Sequence, residues 1–136
     1  MAQETLHTAL AASKLRRVII ESPCAAVSNE EWIANADYLN ECLRDSIARG
    51  EAPYASHGIF AFSGAFEDAD PEQREACMLA GFAWQTAAEA VIVYTDRGMS
   101  AGMVRAVELA AKQGITVEQR SIHTRLPNIA LLTNGG

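Results

Sequence analysis

Residues 90–103, AVIVY-TDRGM-SAGM, read as a buried strand, a polar glycine-containing turn and the start of a helix. Ala90–Tyr94 is a continuous apolar run dominated by β-branched residues, as expected of a strand covered on both faces. Thr95 to Met99 follows at its carboxyl end. Ser100 caps the helix that comes next, whose apolar stripe is Met103, Val107, Ala110 and Ala111 and whose closing residue is Gly114. Ile115–Glu118 (ITVE) reads as a second strand after it.

Working back from that unit, the same alternation repeats. Arg16–Glu21 (RRVIIE) is a β-branched run ended by Ser22-Pro23. Ser28 or Asn29 caps the following helix, with Glu30 and Glu31 in its first turn, where the helix dipole favours acids. Trp32, Ile33, Ala36, Leu39, Leu43 and Ile47 recur at helical spacing, and Gly50 ends the helix. Ala52–Ser56 is a short strand with Pro53 near its start. His57–Ala69 (HGIFAFSGAFEDA) lacks periodicity and reads as a loop walling a site. Asp70 and Pro71 open a helix as cap and first residue, with Cys77, Gly81, Trp84 and Ala88 on one face. The order β-α-β-loop-α-β-α-β implies right-handed crossovers. The fold class is therefore α/β, a small flavodoxin- or Rossmann-like doubly wound parallel sheet flanked by helices. Residues 1–15 are expected as a helix or arm, 16–122 as the domain, and 123–136 as a tail.

The chain has 136 residues, enough to bury a core without disulfides or a structural metal. Its longest apolar runs fall far short of the roughly 20 residues of a membrane span. Eleven basic against 17 acidic residues, net −6, argue against a nucleic-acid backbone as partner but not against a mononucleotide. No signal-peptide pattern opens the chain. Cys24, Cys42 and Cys77 are odd in number and fit no zinc spacing, as expected of free thiols in a reducing cytoplasm. No metal and no cofactor is expected; the acids of Glu67–Asp70 lack calcium-loop spacing.

In a doubly wound sheet the ligand lies at the carboxyl ends of the strands. Function is therefore expected in residues 21–28, 56–70 and 95–102. From the first come Glu21 and Ser22, a carboxylate and a hydroxyl for a ligand hydroxyl or phosphate, with Pro23 stiffening the turn. The plain alternative is that Ser22 caps backbone groups and Glu21 pairs with an Arg. From the second come His57, an acid, base or donor or else a loop-filling ring, and Phe60, which could stack on a base. From the third come Asp96, leaving the most buried strand, then Ser100, Gly102 and Met103 at a helix N-terminus that favours an anion. Glu21, Asp96 and His57 are the catalytic candidates. A Cys24–His57 nucleophile pair is sterically open, and no glycine-rich dinucleotide fingerprint or Walker pattern occurs.

VIIESP, APYASH, the D-P-E-x-R stretch Asp70–Arg74, and strand AVIVY followed by Ser100, Gly102, Met103, Glu108 and Ala110 together resemble the nucleoside 2-deoxyribosyltransferase-like superfamily, closest to small phage and bacterial members. The resemblance spans about Arg17 to Ser121. It implies nucleoside or nucleotide binding, often in an oligomer. In its enzymes a Glu nucleophile attacks at the N-glycosidic bond, as in retaining glycosidases. The position matching that Glu, six residues after the turn Ser, is Ala106; Glu108 lies roughly 200° around the helix from it. The leading expectation is a protein that binds or sequesters a nucleotide or ADP-ribose-like signal without glycosidase chemistry. The alternatives are an active N-glycosidase or deoxyribosyltransferase with relocated acids, and a scaffold or inhibitor that binds protein. A homo-oligomer is expected.

Overall fold

The computed structural model describes residues 15–123. The expected N-terminal arm and most of the expected tail lie outside the described residues. Four strands form one parallel sheet in the order β2-β1-β3-β4: β1 Arg16–Glu21, β2 Glu51–Tyr54, β3 Ala90–Tyr94 and β4 Thr116–Arg120. Three helices connect them: α1 Asn29–Ala48, α2 Pro71–Phe82 and α3 Ala101–Lys112. The doubly wound α/β architecture follows directly. The chain leaves β1 sideways to β2, returns past β1 to β3, and continues outward to β4. Its direction thus reverses between β1 and β3, the switch point where such sheets bind ligands.

The two faces of the sheet have separate cores. Val18, Ile20, Ala90, Ile92 and Tyr94 pack against Tyr38, Leu39 and Cys42 of α1. Ile19, Val91 and Val93 pack against Met103 and Ala110 of α3, with α2 beside α3. Strand alternation therefore decides which loop side chains can meet. The register pairs Glu21 with Val93, so Glu21 emerges on the α3 face with Ile19, whereas Asp96 continues the parity of Ile92 and Tyr94 onto the α1 face.

Helix boundaries follow their caps. Ser28 Oγ accepts from Glu31 N, Asp70 from Glu72 N and Ser100 Oγ from Met103 N. Gly50 and Gly114 end α1 and α3 with φ of 80° and 72°, a conformation that costs Gly little.

Several expected details differ. On α1 the buried residues are Asn35, Tyr38, Leu39, Cys42 and Ser46, while Ile33 and Ile47 are 52% and 62% exposed. The stripe is rotated because Asn35 and Ser46 have partners that satisfy them inside: Asn35 donates to the Cys24 and Ala25 carbonyls and accepts from Arg97, and Ser46 donates to Glu51. On α2 only Gly81 of the expected face is buried. The helix stops at Phe82, and Trp84 precedes a 3-10 turn, Gln85–Ala87, with 56% of its surface exposed. On α3, Ala106 is buried and Ala111 exposed. The expected second strand begins one residue earlier, at Glu51, and ends at Tyr54. Part of the expected loop, Gly58–Phe62, is a π-helical turn. No helix among the described residues is long and apolar enough to cross a membrane.

Candidate functional site

At the switch point the carboxyl end of β1, the start of the π-helical turn, α2 and the N-terminus of α3 enclose two adjoining hollows. The outer one has a volume of about 570 Å³ and is bordered by Trp32, Glu67, Glu75, Ala101 and Arg105. That volume falls within the ordinary range of small-molecule sites, about 300–1,000 Å³. The inner one is about 70 Å³ and is lined by Glu21, Ser22, His57, Phe60, Phe82, Cys77, Ser100 and Met103 among others. Ala25, Asp68, Arg74, Met78 and Gly102 border both, so the two form one cleft with a narrow floor.

Glu21, Ser22, His57, Phe60, Ser100, Gly102 and Met103, distant in sequence, thus meet in one place. Strand β1 delivers Glu21 onto the α3 face. Its carboxyl makes no hydrogen bond or ion pair with any described residue, and its remaining surface opens on the inner hollow. The expected alternative, pairing with an Arg, does not occur among the described residues. Withdrawal from solvent without a compensating charge raises its pKa to about 8, so the group is a neutral carboxylic acid at pH 7. Ser22 Oγ lies 2.7 Å from His57 Nε2, tying the end of β1 to the π-helical turn. Burial lowers the His57 pKa to about 4, which keeps the imidazole neutral.

Asp96 is not part of this cleft. It faces α1, where its carboxylate accepts from Tyr38 Oη at 2.6 Å, Ser121 Oγ at 2.5 Å and the Ile122 and His123 N–H groups. Burial alone would raise its pKa; the two hydroxyls and two N–H groups overcome that and hold it down to about 2. Through these bonds it clasps the chain leaving β4. Pro23 is buried but lines neither hollow. A Cys24–His57 pair does not form: Cys24 Sγ lies 3.8 Å from Asp68 Oδ1, and burial first, then the Asp68 charge, push its thiol to about 12. Such a thiol is a poor nucleophile. Glu108 is exposed, Ala106 is fully buried, and neither borders the cleft.

Residues not singled out from sequence also contribute. Arg74, Cys77, Met78 and Phe82 line the inner hollow from α2. Their spacing of three, four and eight from Arg74 is the one-sided stripe of a helix, a signal present in the sequence. Asp68 was hidden in an aperiodic segment. Gly81 allows α2 to approach: a Cβ there would collide with Ser56 Oγ and lie 2.8 Å from Ser56 Cβ. At the mouth, Arg105 is held by a bidentate pair with Glu75, both bonds 2.7 Å. Among the described residues no group of three or more His, Cys, Asp or Glu could hold a metal ion.

No curated protein and no solved structure matches the chain. Residues 16–120 match a domain of unknown function, DUF7768. The matched stretch runs from the first residue of β1 to the last of β4, and the chain belongs to the DUF7768 family.

Proposed function

We propose that the cleft binds a nucleoside or nucleotide and does not cleave its N-glycosidic bond, as the resemblance to the nucleoside 2-deoxyribosyltransferase-like superfamily implies for a chain with Ala at position 106. The observation that carries this reading is Glu21: a neutral carboxyl on the floor of a cleft at the switch point, without a partner among the described residues. A carboxylic acid offers one O–H donor and acceptor capacity to a polar ligand group, and it is not the carboxylate a retaining glycosidase needs for attack. Ser22 and neutral His57 supply further uncharged hydrogen-bonding groups. The N-terminus of α3, with Arg105 at the mouth, suits an anionic end of the ligand.

Calorimetry against nucleosides, nucleoside phosphates and ADP-ribose is expected to show binding that Glu21→Ala weakens at least about tenfold, the loss of roughly one good hydrogen bond. No heat with any of them would reject the reading. One observation favours a second reading, N-glycosidase chemistry: a protonated Glu21 is in the form that donates to a leaving base, and Asp68 borders the same hollow. Chromatography of nucleoside monophosphates after long incubation at high protein concentration separates the two, since intact substrate removes the second. The proposal includes self-association, for which light scattering should give a multiple of 14.6 kDa; the monomer mass would remove that part.

A further inference from the structure

We propose that Glu21 selects the ligand's base by pairing through both carboxyl oxygens with an edge that presents one hydrogen-bond donor beside one acceptor, as the amidine edges of adenine and cytosine do. This rests on the nucleoside reading and adds to it the chemical class of the group that reaches the floor of the cleft.

The shape of the site comes first. The inner hollow of about 70 Å³ is too small for a nucleoside and of a size for the edge of a flat ring, while the adjoining 570 Å³ takes the remainder. Its walls include Phe60, Phe82 and Met78, apolar groups suited to the faces of an aromatic ring. The only carboxyl on β1 that reaches the hollow, Glu21, has no partner within the described residues, so both oxygens are free for a ligand. The other ionisable groups lining the hollow are Cys24 and Asp68 from the loops flanking α1 and α2, His57 from the start of the π-helical turn, and Arg74 and Cys77 from α2; α3 contributes none. Arg74 is the lone cation among them and makes no ion pair with Glu21.

Hydrogen-bond logic then fixes the preference. A neutral carboxylic acid presents one donor and one acceptor side by side. That pattern complements an amidine or lactam edge through two parallel bonds. An ionised carboxylate presents acceptors only, and would complement instead the two adjacent donors of guanine. The sign of the pH dependence follows. Affinity for an adenine nucleoside holds while Glu21 is protonated and falls about tenfold per pH unit once the pH exceeds the free-site value near 8. His57 near 4 and Cys24 near 12 titrate outside that range.

The experiment is calorimetry of the full chain with adenosine and its analogue lacking the 6-amino group, from about pH 6 to about pH 10. Wild type is expected to bind adenosine at least about tenfold more tightly than the des-amino analogue, with the loss above pH 8 just described. Glu21→Gln, whose carboxamide also offers one donor and one acceptor but cannot ionise, is expected to keep adenosine binding and lose the pH dependence. Glu21→Ala is expected to lose the preference for the amino group. Binding that is equal for adenosine and the analogue, flat with pH in wild type, or abolished in a folded Glu21→Gln protein would overturn the inference while leaving nucleoside binding intact. Absence of binding to every nucleoside would overturn both.

Discussion

Glu21, the last residue of β1, and Asp96, two residues past β3, are carboxyls at the carboxyl ends of neighbouring strands, and their surroundings drive them to opposite charge states. Glu21 has burial and no partner among the described residues; Asp96 has burial and four donors. The consequences for stability have opposite signs. The folded-state pKa of Glu21, about 8, lies above its ordinary 4.5, so the folded protein holds a proton that the unfolded chain releases as pH rises between those values. Stability should decline across that window, by up to a few kcal/mol at about 1.4 kcal/mol per tenfold. Glu21→Gln should abolish the decline, and urea denaturation at pH 5 and pH 8 measures it. Asp96 is held at about 2 against an ordinary 3.8, so its contribution is full above pH 4 and is lost as pH falls towards 2. Asp96→Asn should cost about 1–3 kcal/mol at pH 7, with the gap from wild type closing on acidification. It should leave ligand binding at the cleft unchanged, because Asp96 lies on the other face of the sheet.

At the scale of elements, the approach of α2 to the end of β2 is set by Gly81. Gly81→Ala must displace Ser56, which itself lines the inner hollow. It should destabilise by about 1–3 kcal/mol and weaken ligand binding as well, unlike an exposed substitution such as Ala80→Ser on the same helix. Denaturation curves and calorimetry on both variants check this. The strands, their order along the chain, the caps Asp70 and Ser100, and the first cap as one of the neighbours Ser28 and Asn29 were legible in the sequence because each rests on local chemistry: β-branched runs, Ser or Asp before a helix, Gly after α1 and α3. Apolar periodicity misplaced the buried stripe of α1, because Asn35 and Ser46 are buried by virtue of polar partners outside the helix, Arg97 and Glu51, that periodicity does not register. The candidate site was legible to the level of loops. Glu21, Ser22, His57, Ser100, Gly102 and Met103 follow from the rule that ligands gather at strand carboxyl ends. Asp96 obeys the same rule but falls on the wrong side, because the inter-strand register that fixes its parity relative to Glu21 is a tertiary property.

At the scale of the whole molecule, one buried charge cluster ties the outer strands to α1. Arg120 of β4 donates to both oxygens of Glu51 on β2 at 2.7 and 2.5 Å and to Tyr94 Oη at 3.2 Å. Tyr94 in turn donates to Asp45 of α1. Glu51 also accepts from Ser46. Arg120 therefore spans the sheet from edge to edge on the α1 face, opposite the Glu21 side chain. Removing Arg120 takes the bidentate partner from buried Glu51 and leaves it only the more distant Arg16, 3.6 Å away, which costs up to about 3–5 kcal/mol. Arg120→Met should fall in that range by denaturation, and Glu51→Gln should recover part of the loss in the double variant. This division of labour places a paired polar cluster on one face of the sheet and, on the other, where a cleft leads to it, a carboxyl without a partner among the described residues. The most direct test is an electron-density map from crystals soaked with a nucleoside monophosphate mixture. Density for a nucleoside within hydrogen-bonding distance of Glu21, with its remainder in the outer hollow beside Arg105, is the expected result. A cleft left empty at saturating ligand, or a nucleotide bound elsewhere on the surface, would contradict it.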